Sequence, residues 1–294
     1  MSQINPVSIQ AQGATLAGVI YQPQNPSALT PILIAPATGI TQRFYKGFAT
    51  WLMEQGHTVL TFDNRGIGAS LNAPHVRQST AKKQDWGLYD MPAALDFLLS
   101  HTGAQKAWLI GHSAGGQLLG LMNNHHRIER ALAVASSSGY VKRLRWPGRI
   151  SAWLMLKLMI PLTANTLGYV PSKKFGWGEN LPKGVGLQWA KWCSSPGYVE
   201  NEFGQGVQEH FYRQLNTPLV YLYASDDPIA TPANVQDIMR LAPQAPARMI
   251  EIKPEQFKLP AIGHVDMFRP SHRAIWPHML AQLKHPTVAS TVPQ

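Results

Sequence analysis

The 294-residue chain carries 26 Lys and Arg against 16 Asp and Glu, a net charge of +10, with 45% hydrophobic and 14% charged residues. That balance excludes a disordered chain and leaves enough apolar side chain for one large α/β domain with an insertion. The single cysteine, Cys193, excludes an internal disulfide and fits a reducing compartment.

Residues 1–6 show no basic stretch leading into an apolar run, so no secretion signal is read there. The most apolar stretch, residues 150–162, contains Lys157 and falls short of the ~20 residues a membrane-spanning helix needs. The expectation is a cytoplasmic protein.

Residues 7–10 and 15–22 flank Gly13 and read as a hairpin. Residues 32–35 form a short continuous apolar run, the pattern of a strand buried on both faces, and end at Pro36-Ala37-Thr38-Gly39. Phe44, Phe48, Trp51 and Leu52 recur at helical spacing before Gly56, and residues 58–62 are a second buried strand running into Asp63-Asn64-Arg65-Gly66-Ile67-Gly68-Ala69-Ser70. A polar loop over 71–84 precedes a helix over 86–99. This alternation of strand and helix implies right-handed crossovers and a mostly parallel sheet.

The centre of the pattern is Lys106 to Gly120. An apolar strand, 107–110, stops at Gly111, and helical spacing resumes after Gly116 (Leu118, Leu119, Leu121, Met122). Ser113 sits at the bend within Gly111-x-Ser113-x-Gly115. A Ser held on a sharp strand-to-helix turn needs neighbours without Cβ atoms, and the bend exposes its hydroxyl beside a helix N-terminus. His125 and His126 are expected to end this helix.

A strand over 131–135 follows, and regular alternation then breaks off. Residues 139–215 hold five of the nine Trp and show apolar helical stretches with no clear strand, as expected of a lid lying over the carboxyl ends of the sheet. The sheet resumes at 219–223, followed by Asp226-Asp227-Pro228, a helix over 233–241, a strand over 248–252, a loop with Gly263-His264 and a last helix over 271–284. The organisation expected is a core of 1–138 and 216–286, a helical cap of 139–215 and a disordered tail of 287–294.

A Ser hydroxyl becomes a nucleophile only when a base takes its proton, and a third group must hold that base in the right tautomer. No Asp or Glu lies between Arg130 and Gly178, so the acid must come from the loop after 219–223. Asp227 is favoured because Pro228 pins its turn, with Asp226 as the alternative. Among eleven histidines only His264 follows the last strand in a loop and has a Gly before it. The chain order Ser113, Asp227, His264 suits a parallel sheet whose catalytic groups gather beyond the strand ends.

Gly-His-Ser-Ala-Gly at 111–115, the run from Asp63 to Ser70, Asp-Asp-Pro at 226–228 and Gly-His at 263–264 together resemble the α/β-hydrolase superfamily over nearly the whole chain. Gln42-Arg43-Phe44-Tyr45, Gln188 to Cys193 and Gly263 to Arg269 resemble a little-characterised bacterial subgroup near its serine aminopeptidase-like branch. The resemblance implies an α/β fold with a mostly parallel eight-stranded sheet flanked by helices and a helical cap after the sixth strand. It further implies Ser113 as nucleophile, Asp227 as acid and His264 as base. Many relatives carry His-Gly where this chain has Pro36-Ala37. An amide of this turn, Thr38 foremost, is expected as the first oxyanion donor and the Ala114 amide as the second.

The activity expected is hydrolysis of a small-molecule carboxylic ester or thioester through an acyl-enzyme, without cofactor or metal. Aminopeptidase and acyltransferase activities are alternatives within the class, and a non-catalytic ligand-binding or membrane-surface module is the rival outside it. Between Tyr140 and Gly178 there are seven basic residues (Lys142, Arg143, Arg145, Arg149, Lys157, Lys173 and Lys174) and no acid. This surface is a candidate contact for an anionic membrane or a phosphate-bearing substrate. No nucleic-acid module accompanies the charge. Trp146 and Trp153 are expected at a membrane interface or along an acyl pocket, and Trp189, three residues from Trp192, shares a helix face with it; all three are candidate substrate-binding residues.

Overall fold

A computed structural model describes residues 2–25 and 29–284; the tail predicted at 287–294 lies outside them. In chain order its strands are β1 (Gln3–Ala11), β2 (Ala14–Gln22), β3 (Ile32–Ala35), β4 (Val59–Phe62), β5 (Ala107–His112), β6 (Ile128–Val134), β7 (Tyr169–Val170), β8 (Leu181–Pro182), β9 (Leu219–Ala224) and β10 (Ala247–Ile252). Every residue of β3, β4, β5 and β9 is buried, which is why these strands read as unbroken apolar runs rather than alternating ones.

Eight strands form one sheet in the order β1-β2-β4-β3-β5-β6-β9-β10. The β1–β2 and β2–β4 pairs are antiparallel and the remaining pairs parallel. β5 lies between β3 and β6, so the bend after it opens at the middle of the sheet's carboxyl edge. The main helices are α1 (Lys46–Glu54), α2 (Lys83–Asp85), α3 (Met91–Thr102), α4 (Ala114–Gln117), α5 (Gly148–Leu154), α6 (Ile160–Thr166), α7 (Lys183–Trp192), α8 (Pro232–Met239) and α9 (Trp276–Lys284).

Two expectations change. The apolar spacing after Gly116 predicts one helix reaching His126, but α4 stops at Gln117 and a 3₁₀ turn, Leu119–Leu121, follows. Tyr212 packs so closely on Gly120 that a Cβ there would lie 2.3 Å from its ring, and the Phe211 amide donates to the Gly120 carbonyl at 2.6 Å. The leucines are therefore buried by the chain that wraps over them, and His125 begins a separate turn, His125–Arg127. Conversely, the helix expected from residue 86 begins earlier, at Lys83, and runs through a π-helical stretch, Trp86–Asp90, into α3, closing at Gly103 with φ 70°.

Between β6 and β9 the chain forms α5, α6 and α7 with a two-residue antiparallel pair, β7–β8, which the sequence did not disclose. This segment is anchored on the turns at the sheet's carboxyl edge. The Glu179 amide donates to the Gly39 carbonyl (2.7 Å), the Arg145 amide to the Pro228 carbonyl (3.1 Å), and Gln84 and Gln188 pair through amide and side chain. Within the segment, buried Glu202 accepts from Trp192 Nε1 (2.7 Å), Gln188 Nε2 (2.8 Å) and Lys191 Nζ (2.9 Å), satisfying the buried Trp192 N–H, which would otherwise be orphaned.

Candidate active site

Ser113 is the residue between β5 and α4, and its backbone takes φ 48°, ψ −106°, outside the ordinary regions for a residue with a side chain. The glycines around it are demanded by contact. A Cβ on Gly111 would lie 2.4 Å from the Gly116 nitrogen, and one on Gly115 would lie 2.2 Å from the Ala35 carbonyl oxygen. The bend is held by the Ser113 amide donating to Val134 O (2.8 Å) and by Gln117 N and Ser136 Oγ donating to Ser113 O (3.0 and 2.9 Å).

His264 Nε2 lies 3.2 Å from Ser113 Oγ, and His264 Nδ1 lies 2.8 Å from Asp227 Oδ2. Asp227 is fully buried, and its other oxygen accepts from the amides of Ile229 (2.7 Å) and Ala230 (2.9 Å). Burial pushes its pKa up, but the His264 charge and hydrogen bond together with the two amides outweigh this and leave it below the ordinary carboxylate value. Asp226 does not meet His264. It accepts from the amides of Ile262 (2.8 Å) and Gly263 (3.0 Å), tying the turn after β9 to the loop that carries the imidazole.

In the turn after β3, the Ala37 amide donates to Tyr45 Oη (2.9 Å). Among the described residues, neither the Thr38 amide nor the Ala114 amide has a hydrogen-bond acceptor. Asp63 and Arg65 hold neighbouring turns: Asp63 accepts from the amides of Gln42 (2.6 Å) and Ala69 (2.9 Å), and Arg65 Nε donates to Asp90 at 2.7 Å. Burial pushes Asp90 up to about 6 against the pull of Arg65.

These features, a mostly parallel eight-stranded sheet with a Ser, a His and an Asp joined across its carboxyl edge, accompany a match of residues 32–275 to the alpha/beta hydrolase family. The chain belongs to that family. It is accordingly an enzyme of the hydrolase type. A polyketide transferase of Aspergillus fumigatus is 25% identical over 210 residues, 67% of this chain and 70% of that protein. A sterol esterase of Saccharomyces cerevisiae is 34% identical over 86 residues, 26% of this chain and 16% of that protein. The esterase Pf2001 of Pyrococcus furiosus shares the fold with a TM-score of 0.60 at 15% identity, over 98% of this chain and 92% of that one.

The hydrolase fold sorts the three tryptophans singled out from the sequence. Trp189, on α7, is half-buried with its ring 5.6 Å from Lys83 Nζ. Trp146 and Trp153 are 68% and 45% exposed, and with Val141, Lys142, Arg149 and Ile150 they line an outer groove that includes none of Ser113, Asp227 and His264. Both rings of this pair stand at the surface.

Two participants gave no signal in the sequence. His112, a residue of the bend expected to point away from the Ser113 hydroxyl, is fully buried and bridges Tyr45 Oη (2.8 Å to Nδ1) and the His264 carbonyl (3.1 Å to Nε2). Burial foremost, then the neighbouring His264, pulls its pKa down to about 3, so it is neutral at pH 7. With Nε2–H donating to the carbonyl, Nδ1 accepts the tyrosine proton. Lys83, in a stretch read as polar loop, is likewise fully buried, with Nζ donating to Thr38 Oγ1 at 2.5 Å.

Proposed function

We propose that the protein is a serine hydrolase that cleaves a carboxylic ester or thioester through an acyl-enzyme. The observation that carries this reading is the continuous contact from Asp227 through His264 to Ser113, whose strained backbone aims the hydroxyl out of the sheet. Ser113 Oγ attacks the acyl carbonyl as His264 Nε2 takes its proton, and the imidazolium returns that proton to the leaving alcohol or thiol. Water then repeats the sequence on the acyl-enzyme, and Asp227 holds the imidazole with Nδ1 protonated throughout. The amides of Thr38 and Ala114, free of other acceptors, receive the charge that develops on the carbonyl oxygen.

Aminopeptidase activity is disfavoured by the acids of the inserted segment. Glu202 is engaged by three donors, Glu200 by Arg240 and Glu179 by Lys173, which leaves Glu209, exposed in the second half of the segment, as its one acid without an ion pair among the described residues. The test is turnover of acyl esters and thioesters of graded chain length, with an alcohol acceptor added to separate hydrolysis from acyl transfer. Ester or thioester cleavage abolished by Ser113→Ala is expected; a protein that binds such esters without cleaving any of them is a binding module instead.

The segment over the sheet supports a second element, action at an anionic lipid surface. Ile150, Leu154, Leu158 and Leu162 recur every four residues along one helical segment and are 45–63% exposed, with Trp146 and Trp153 beside them. Apolar residues of this size are rarely left in a row at a water interface, and Arg149 and Lys157 on the same helical segment, with Lys142 in the 3₁₀ turn before it, suit phosphate-bearing head groups. Sedimentation with phosphatidylglycerol and phosphatidylcholine vesicles tests this. Binding favoured by the anionic lipid and lost in Leu154→Asp/Leu158→Asp is expected, and equal binding to both lipids, or none, refutes it. No helix of the described residues is long and apolar enough to cross a membrane.

A further inference from the structure

Lys83 is a fully buried cation for which no carboxylate lies within ion-pair distance among the described residues. Such a charge is costly to bury, and a side chain with no structural partner of opposite sign would be expected to reach for solvent. Instead its ammonium donates to Thr38 Oγ1 at 2.5 Å and is bracketed by the rings of Trp86 (4.8 Å) and Trp189 (5.6 Å). Trp86 is itself fixed, fully buried with Nε1 donating to the Arg65 carbonyl.

The acceptor is what makes this arrangement informative. Because Thr38 Oγ1 accepts a hydrogen bond from Lys83 Nζ, its own O–H must point elsewhere, and among the described residues it has no acceptor. Thr38 belongs to the turn after β3, which packs against the start of α4: Gly115 approaches the Ala35 carbonyl so closely that no Cβ fits between them. The Thr38 backbone amide is also without an acceptor among the described residues.

Resting on the serine-hydrolase reading above, we propose that Thr38 contributes its hydroxyl as well as its amide to the acyl oxygen, and that Lys83 is the positioning residue that orients and polarises that hydroxyl. The relay runs from Lys83 Nζ–H to Thr38 Oγ1, and from Thr38 Oγ1–H to the carbonyl oxygen of the substrate. No bond is made or broken in it. A cation acting through one neutral hydroxyl stabilises negative charge that appears only in the transition state, so its effect falls on kcat rather than on KM.

The relay depends on the charge of Lys83. Burial pulls its pKa down to about 7. The groups facing it are the neutral Thr38 hydroxyl, the two indole rings and, immediately after α7, Cys193, whose thiol burial pushes up to about 12 and which is therefore uncharged. When Lys83 loses its proton, Nζ gains a lone pair and can accept the Thr38 hydroxyl proton, withdrawing it from the substrate. Activity should thus decline as pH rises through about 7 with a limb that belongs to Lys83.

The experiment is steady-state hydrolysis of an acyl p-nitrophenyl ester across pH 5–9 by wild type, Ser113→Ala, Thr38→Val, Thr38→Ser and Lys83→Met, with thermal melts of each. Ser113→Ala abolishing turnover secures the underlying reading. Given that, Thr38→Val should lower kcat about 10²-fold, the loss typical of one oxyanion donor, with KM within about threefold, and Thr38→Ser should restore most of it. Lys83→Met should lose about tenfold or more in kcat and lack the alkaline limb, yet melt at or above the wild-type temperature, because an apolar chain of similar length replaces an unpaired buried charge. Ser113-dependent turnover in which Thr38→Val stays within about threefold of wild type overturns the relay alone, as does an alkaline limb that persists in Lys83→Met. Activity lost only in proportion to lost melting temperature also overturns it, and absence of Ser113-dependent turnover overturns both readings.

Discussion

Asp227→Asn should reduce kcat about 10⁴-fold while leaving the protein folded, and the structure dictates why. Asp227 presents Oδ1 to two amide donors, Ile229 at 2.7 Å and Ala230 at 2.9 Å, and Oδ2 to His264 Nδ1 at 2.8 Å. An asparagine in the same rotamer must turn its carbonyl oxygen toward the two amides, because the reverse would face N–H against N–H in a site with no exposed surface. Its NH₂ then faces His264 Nδ1, which becomes an acceptor, and the imidazole proton moves to Nε2, the atom that lies 3.2 Å from Ser113 Oγ. A protonated Nε2 cannot accept the serine proton. A wrong tautomer of this kind costs ~10⁴ in kcat, about 5 kcal/mol at the barrier. The assay is ester hydrolysis at saturating substrate, with Asp226→Asn as companion. Asp226 touches only the amides of Ile262 and Gly263, so its substitution should cost less than about tenfold. Retention of activity by Asp227→Asn within about tenfold of wild type, or a larger loss in Asp226→Asn, would refute the tautomer argument.

Gly115→Ala should destabilise by about 3 kcal/mol or more and remove activity, because its Cβ would press 2.2 Å from the Ala35 carbonyl oxygen and neither backbone can yield; urea denaturation reads the loss. Glu202→Ala should cost about 1–3 kcal/mol by leaving the buried Trp192 N–H without an acceptor, seen as earlier proteolysis within residues 139–215. His112 has a folded pKa pulled to about 3 against about 6.5 when unfolded, so the unfolded chain binds more protons between these values. Stability from this group is complete above about pH 6.5 and is lost as pH falls toward 3. A melting-temperature series over pH 4–7 should rise with pH, and His112→Gln should flatten the rise.

The strands and the bend were legible because their signals are local. A strand covered on both faces must be apolar throughout, as in residues 32–35 and 107–110, and a serine on a strained corner must have glycines where Cβ atoms would strike backbone. Chain order led to His264 and to the Asp226-Asp227 turn, since parallel topology decides which loops meet, and Pro228 was what favoured Asp227 over its neighbour. Lys83 was not, because a lysine in a polar stretch looks solvated until the tryptophans that cover it, one of them more than a hundred residues away, are brought over it. The early end of α4 was hidden for a related reason. Buried leucines at helical spacing say that a segment is covered, and Tyr212, which does the covering, lies far along the chain. Trp146 and Trp153 show the converse: the sequence left a membrane interface and an acyl pocket both open for them, and only the folded chain places them on the outer surface.

The central claim is that Ser113 itself carries the acyl group. Intact-mass and peptide mass spectrometry after treatment with a fluorophosphonate at neutral pH tests it most directly. One adduct per chain on the peptide containing Ser113, absent in Ser113→Ala and slowed at least about a hundredfold in His264→Ala, is predicted. An adduct on another residue, or labelling that survives Ser113→Ala, would contradict it.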